Sequence, residues 1–390
     1  MSAGSLRRVA GGLITIAFAA LVGILAYHTC RLDAEVVWLR QELGNLGDAV
    51  DSLEIARNQD ISLPVSPLLL EYRLDLPGRG EVFPAMTLGE VPEYWPVAML
   101  SVTNTSNRPV AQIVSAEIAG WSRRMEKTLL TPPRGTDKLS IQPELLTRAH
   151  RNTEIARAEL AVRATGLDGA VLFAENREVL IHGGSEIYWG RQFANAQVAA
   201  RWVTPHDRDV LELVSRARGF VRNGRMAGYS AATGGTIAIS RHVRDQARAI
   251  YSALQKSGIT YVSSKFVMGE FVDAAQRVRF PSETLHLKNA NCMDVSVVFA
   301  SAIENLGMQP VLVIVPGHAF AGVRTGKDSP TILYADLTVL PKGTFESATA
   351  RAAEWLRKTP KDRVLVVDVA AARALGVYPR PSSDLSQIGS

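Results

Sequence analysis

Asn291-Cys-Met-Asp-Val-Ser-Val-Val-Phe-Ala-Ser-Ala-Ile-Glu-Asn-Leu-Gly307 is the stretch on which the fold turns. From Met293 to Leu306 it is dominated by apolar residues, which predicts a buried helix, and Gly307 is its natural C-terminal stop. Cys292 therefore sits at the amino end of that helix. Unpaired backbone N–H groups and the positive pole of a helix favour a thiolate at such a position. The same N–H groups can stabilise a developing oxyanion.

Downstream, Val311-Leu-Val-Ile-Val315 reads as an apolar core strand and Pro316-Gly317 as a turn. His318 to Val323 follows as a second strand, and Thr331 to Thr338 as a third beyond the turn at Gly326–Pro330. His318 opens one strand and Asp336 lies on the next. If these strands pair antiparallel, the two side chains share a face and can touch. A helix end packed across that sheet brings Cys292 to the imidazole, which supplies a nucleophile, a base and a group that orients the base. Upstream, Arg279 to Leu287 reads as extended, with Pro281 breaking any helix. His286 is nearer to Cys292 in sequence and is the rival base, but it lacks the strand partner that His318 has. Asn289 or Asn291 could donate to an oxyanion; turn chemistry ahead of the helix is the plainer account of both.

These residues resemble the bacterial transglutaminase-like superfamily of papain-like thiol enzymes. The family pattern is a cysteine opening a helix that ends in Leu-Gly, then His-Ala-aromatic, then Asp-x-Thr. Here it is met by Cys292, Leu306-Gly307, His318-Ala-Phe320 and Asp336-Leu-Thr338. The resemblance covers about residues 200–380 and implies Cys292 as nucleophile, His318 as base and Asp336 as orienter, with Asp294 in a structural role. The implied activity is hydrolysis or transfer at a peptide or protein amide through a thioester. Many members have glycine before the cysteine and tryptophan two past the histidine, where this chain has Asn291 and Phe320; the substrate is left open.

Two helices are expected ahead of this region: one over Val210 to Ala217 with Asp207 as its N-cap, and one over Ser240 to Lys256. The glycine-rich text between them lacks the ending of a phosphate loop. From Pro64 to about Gly190 short apolar runs alternate with turn chemistry at about 8–12-residue spacing, which suggests a sandwich. Asp168-Gly169 marks a hairpin there. His150 and His182 have no spaced partners and read as packing or surface residues.

At the amino end, Val9 to Tyr27 runs nineteen residues without a charge, the length of a membrane-crossing helix. A cleaved signal peptide is the other account, but no clear cleavage site follows. Arg7 and Arg8 lean toward a cytoplasmic N-terminus and hence a periplasmic or extracytoplasmic soluble part. Leu32, Val36, Leu39, Leu43, Leu46, Val50 and Leu53 then form a heptad seam, which predicts a short coiled coil and a homo-oligomer. Cys30 stands at the membrane edge of that seam.

The 390 residues carry a net charge of +5, with basic residues spread along the chain, so charge alone implies no nucleic-acid partner. Two cysteines and seven scattered histidines without metal-ligand spacing give no basis for a metal, and no cofactor is expected. The expected fold class is α+β: a transmembrane anchor over 1–30, a coiled-coil helix over 31–60, a β-sandwich domain over 61–195, a papain-like, transglutaminase-like domain over 200–380 and a flexible tail over 381–390. The expected partners are the membrane, a second copy of the chain, and a peptide or protein substrate. A second functional class also fits, a binding or scaffolding protein that keeps the papain-like fold without turnover.

Overall fold

The computed structural model describes residues 69–379, apart from 79, 88–95, 191–192, 223, 232–234 and 263–274. Its first portion is built from strands β1 (Leu70–Asp75), β2 (Glu81–Val82), β3 (Ala98–Asn104), β4 (Val110–Ile118), β5 (Met125–Thr131) and β6 (Thr136–Ile141), a short helix α1 (Thr147–Arg151), then β7 (Ala156–Gly166) and β8 (Val171–Ile181). Alternation of apolar and polar residues buries one face of each long strand. One sheet has the order β1-β3-β6 and is antiparallel. The other runs β2-β8-β7-β4-β5, with only β2 parallel to its neighbour. The sheets meet where Tyr72 stacks on Phe173 at 4.8 Å between centroids and donates its hydroxyl to Gln112 Oε1 at 2.6 Å. Gly169, at φ +83°, makes the β7–β8 turn, and Asp168 accepts the Ala170 N–H there.

The second portion comprises β9 (Glu186–Tyr188), α2 (Arg208–Ala217), α3 (Gly235–Lys256), β10 (Thr260–Tyr261), β11 (Ala275–Arg277), α4 (Pro281–Leu287), β12 (Asn289–Ala290), α5 (Cys292–Asn305), β13 (Pro310–Val315), β14 (His318–Arg324), β15 (Ile332–Ala335), α6 (Phe345–Lys358), β16 (Leu365–Asp368) and α7 (Val369–Ala374). Asp207 caps α2 by accepting the Asp209 N–H at 2.9 Å. The central sheet has the order β15-β14-β13-β16, antiparallel throughout. Helix α5 is buried on every side from Cys292 to Ile303, as an apolar helix inside a core must be. It covers the sheet face that presents Leu312, Ile314, Ala319 and Ala321. On the opposite face Val311, Val313, Val315 and Phe320 pack against Ala352 and Trp355 of α6. The two portions share interior: Ala85, Ile187 and Trp189 belong to the same core as α5, and β9 pairs with β11. All described residues fall in one compact unit.

The apolar run at 9–27 and the heptad seam at 32–53, with Cys30, lie outside the described residues. Among the described residues no helix is long and apolar enough to cross a membrane. Helix α3, at 22 residues, has the length, but its buried face of Val243, Ala247, Ile250 and Leu254 is opposed by Arg241, Arg244 and Asp245. The expected fold class, headed by a transmembrane helix, is therefore corrected to a mixed helix and strand chain with several sheets. The expected single-pass membrane location, with an extracytoplasmic soluble part, is corrected by the same finding.

Candidate active site

Helix α4 is the first local departure from expectation. Pro281 starts it rather than preventing it, because the first helical residue needs no N–H partner and proline's φ already suits a helix. Lys288, in the left-handed region at φ 51°, ends it and turns the chain into β12. His286 is consequently displayed on an exposed helix, 3.6 Å from Asp209, and is not brought to Cys292.

Asn291 caps α5. Its Oδ1 accepts the N–H of Met293 and of Asp294, each at 2.9 Å, while Asp294 Oδ2 accepts the Asn291 N–H at 3.2 Å. Asp294 Oδ1 also accepts the Arg279 N–H at 2.9 Å, and the Arg279 guanidinium lies 3.8 Å from the carboxylate while donating to the Asn289 carbonyl at 3.1 Å. Burial pushes the Asp294 carboxyl up, against the lowering effect of these N–H groups and of Arg279. Asn289 and Asn291 thus hold the approach to the cysteine, and the Asn291 amide oxygen is spent on the cap.

Cys292 is 2% exposed. Burial pushes its thiol up to about 11, although the backbone N–H groups of Ala319 and Met293 face the sulfur and oppose the rise. The expected resting thiolate is thereby corrected. Desolvation outweighs both of these amides. The sulfur rests against the peptide that joins His318 to Ala319.

His318 and Asp336 do meet. Nε2 of the imidazole lies 2.9 Å from Asp336 Oδ2, with both side chains buried. The strand register explains the contact. Ala321 pairs with Ala335, so one further step sets Asp336 opposite Phe320, on the face that His318 shares. Asp336 lies one residue past β15 and caps the turn Leu337–Val339, its Oδ1 accepting the Thr338 N–H at 3.0 Å and hydroxyl at 2.7 Å. Burial would raise the Asp336 carboxyl, but the His318 hydrogen bond and charge, with Thr338, hold it below the usual carboxylate range. An ionised carboxylate can only accept, so Nε2–H is the donor to Asp336, and in a neutral ring the lone pair then lies on Nδ1.

The indole of Trp355 stacks on the His318 ring at 4.7 Å and 25°. Arg351 reaches to 4.0 Å from Asp336 Oδ2. Neither residue is marked in the sequence as part of the site; the structure places them one turn apart on α6. Tryptophan two past the histidine is missing from the motif, yet a tryptophan from α6 occupies the ring's flank. Compared with known proteins, the chain matches no family model and no curated protein.

Proposed function

We propose that the protein is a cysteine-dependent amide hydrolase or acyl transferase acting on a peptide or protein, as its resemblance to the transglutaminase-like superfamily implies. The observation that supports the proposal is the buried His318–Asp336 hydrogen bond at the start of β14, where the N–H of the next residue, Ala319, faces the sulfur of Cys292 at a helix amino end. In this mechanism the neutral thiol is activated as it reacts rather than beforehand. His318 Nδ1 takes the thiol proton while sulfur attacks the carbonyl carbon, and Asp336 holds the ring and stabilises the imidazolium. The imidazolium then protonates the departing amine, leaving a thioester on Cys292. Water, or a second amine, resolves the thioester and regenerates the thiol.

The test is turnover of a mixed casein-peptide pool by the full chain and by Cys292→Ala, read as released amine. Loss of all turnover in Cys292→Ala is expected. Equal release from both chains rejects the enzyme reading. The 2% exposure of Cys292 supports a second reading, a peptide-binding protein with the same fold and no chemistry. That reading requires saturable peptide binding without amine release and without thioester formation.

A further inference from the structure

A guanidinium keeps its charge, so an arginine that leaves water needs a counter-charge and acceptors for its N–H groups. The deeper arginines of this chain have both. Arg373 pairs with Glu304, Arg324 pairs with Asp368, and Arg279 lies 3.8 Å from Asp294. Each also donates to a backbone carbonyl, of Ala200, Ser329 and Asn289 respectively.

Arg201 departs from this pattern. It sits on the turn Ala196–Trp202 and, at 4% exposure, is the one fully buried arginine among the described residues. Nη1 donates to the Ala85 carbonyl at a long 3.3 Å, its one hydrogen bond among the described residues. Nε is enclosed with no acceptor. The acids flanking the turn Pro84–Met86, Glu81 and Glu186, lie 4.0 and 2.7 Å from His182, and neither pairs with Arg201. Burial pushes the guanidinium down to about 10, so it is still a cation at neutral pH. Nor can the turn withdraw it. The carbonyls of Ala200 and Val203 accept from Arg373, the Trp202 indole donates to the Val278 carbonyl at 2.8 Å, and the Thr204 N–H donates to Ser301 Oγ at 2.9 Å.

We infer that Arg201 is the centre of an anion-binding site: between the turns Ala196–Trp202 and Pro84–Met86 its terminal nitrogens take a small oxyanion, a phosphate or a carboxylate. Two N–H groups on one edge of a guanidinium match two oxygens of such an ion. A side chain this deep is out of reach of another protein's surface, so the ion comes from solution. Bound there, it supplies the missing counter-charge and ties the first portion of the chain to the second. The inference is independent of the chemistry proposed at Cys292.

The experiment follows the Tm of the full chain as sodium phosphate, or sodium acetate in a second arm, replaces sodium chloride at constant ionic strength. At an ion concentration about 100-fold above Kd the parent chain is expected to gain roughly 4 °C in at least one arm. A gain with phosphate alone assigns a phosphate, one with acetate alone a carboxylate. Arg201→Met keeps the length of the stem and removes the charge. It is expected to show no gain and, without either ion, to melt no lower than the parent, because it buries no unpaired cation. Equilibrium dialysis with the labelled ion should count one site per parent chain and none in Arg201→Met. No gain in either arm overturns the inference. So does a gain that Arg201→Met shares, which marks an adventitious ion only, and so does an ion-free Arg201→Met that melts well below the parent, which marks a guanidinium already satisfied. Should Arg201→Met not fold, Arg201→Lys decides: it keeps the charge without the planar fork and should raise Kd about tenfold, whereas an unchanged Kd overturns the inference.

Discussion

A thiol that burial pushes to about 11 does not wait as a thiolate at neutral pH. Reactivity toward iodoacetamide, which needs the anion, should therefore climb about tenfold per pH unit from pH 7 to pH 10. A rate already level below pH 7 would mean a preformed ion pair with His318 and would overturn the neutral resting state. The same burial sets a stability term. Folding raises the Cys292 pKa from 9.0 to about 11, so the unfolded chain releases its proton first. The contribution is whole below pH 9 and is lost as pH rises toward 11. Urea midpoints of the parent chain should fall across that window more than those of Cys292→Ala; parallel curves would deny the shift. Asp336 acts on the ring rather than on the sulfur. Asp336→Asn should cut turnover by roughly 10³–10⁴-fold with little change in KM, because the imidazole tautomer is no longer dictated. Retained turnover would show that Trp355 and the strand alone orient His318.

At the scale of elements, helix α5 was readable because a long apolar run ending at Gly307 admits few other structures, and the strands β13 and β14 because their apolar runs are bracketed by turns. Helix α4 was not readable, since proline stops a helix from inside and starts one from its edge, and only knowledge of the edge separates the two. The expected thiolate failed for a related reason. The sequence pattern displays a helix end, but the depth of burial is a tertiary fact. Trp355 was beyond reach because its contact with His318 is made across two elements, with no spacing in the sequence to announce it. The cap itself makes a stability prediction. Asp294→Ala leaves the Arg279 and Asn291 N–H groups without their acceptor, a loss of about 2–3 kcal/mol on urea unfolding. A loss under 0.5 kcal/mol would mean that water replaces the carboxylate and that the entry to α5 is held by the Asn291 side chain alone.

Across the whole molecule, one arginine draws distant segments together. Arg373 of α7 pairs with both carboxylate oxygens of Glu304, each at 3.0 Å, and donates to the carbonyls of Ala200, Val203 and Val377 at 3.0, 2.8 and 2.7 Å. It thereby joins the end of α5 to the turn Ala196–Trp202 and to α7. Arg373→Ala strands a largely buried Glu304 and should cost about 3–5 kcal/mol, seen as a lowered Tm. Arg373→Lys should not restore it, because an ammonium cannot reproduce the planar fork. An unchanged Tm in Arg373→Ala would assign the joint to apolar contacts alone. The contact of the Cys292 sulfur with the peptide after His318 has a consequence of another kind. In the proposed mechanism the thiol and the imidazole that takes its proton meet at one peptide unit, so a shift of β14 at His318–Ala319 moves the base and the N–H that faces the sulfur together. Asp336, just past the neighbouring strand's end, grips that same strand through its 2.9 Å bond to His318 and is itself steadied by Thr338 and the Ala348 carbonyl.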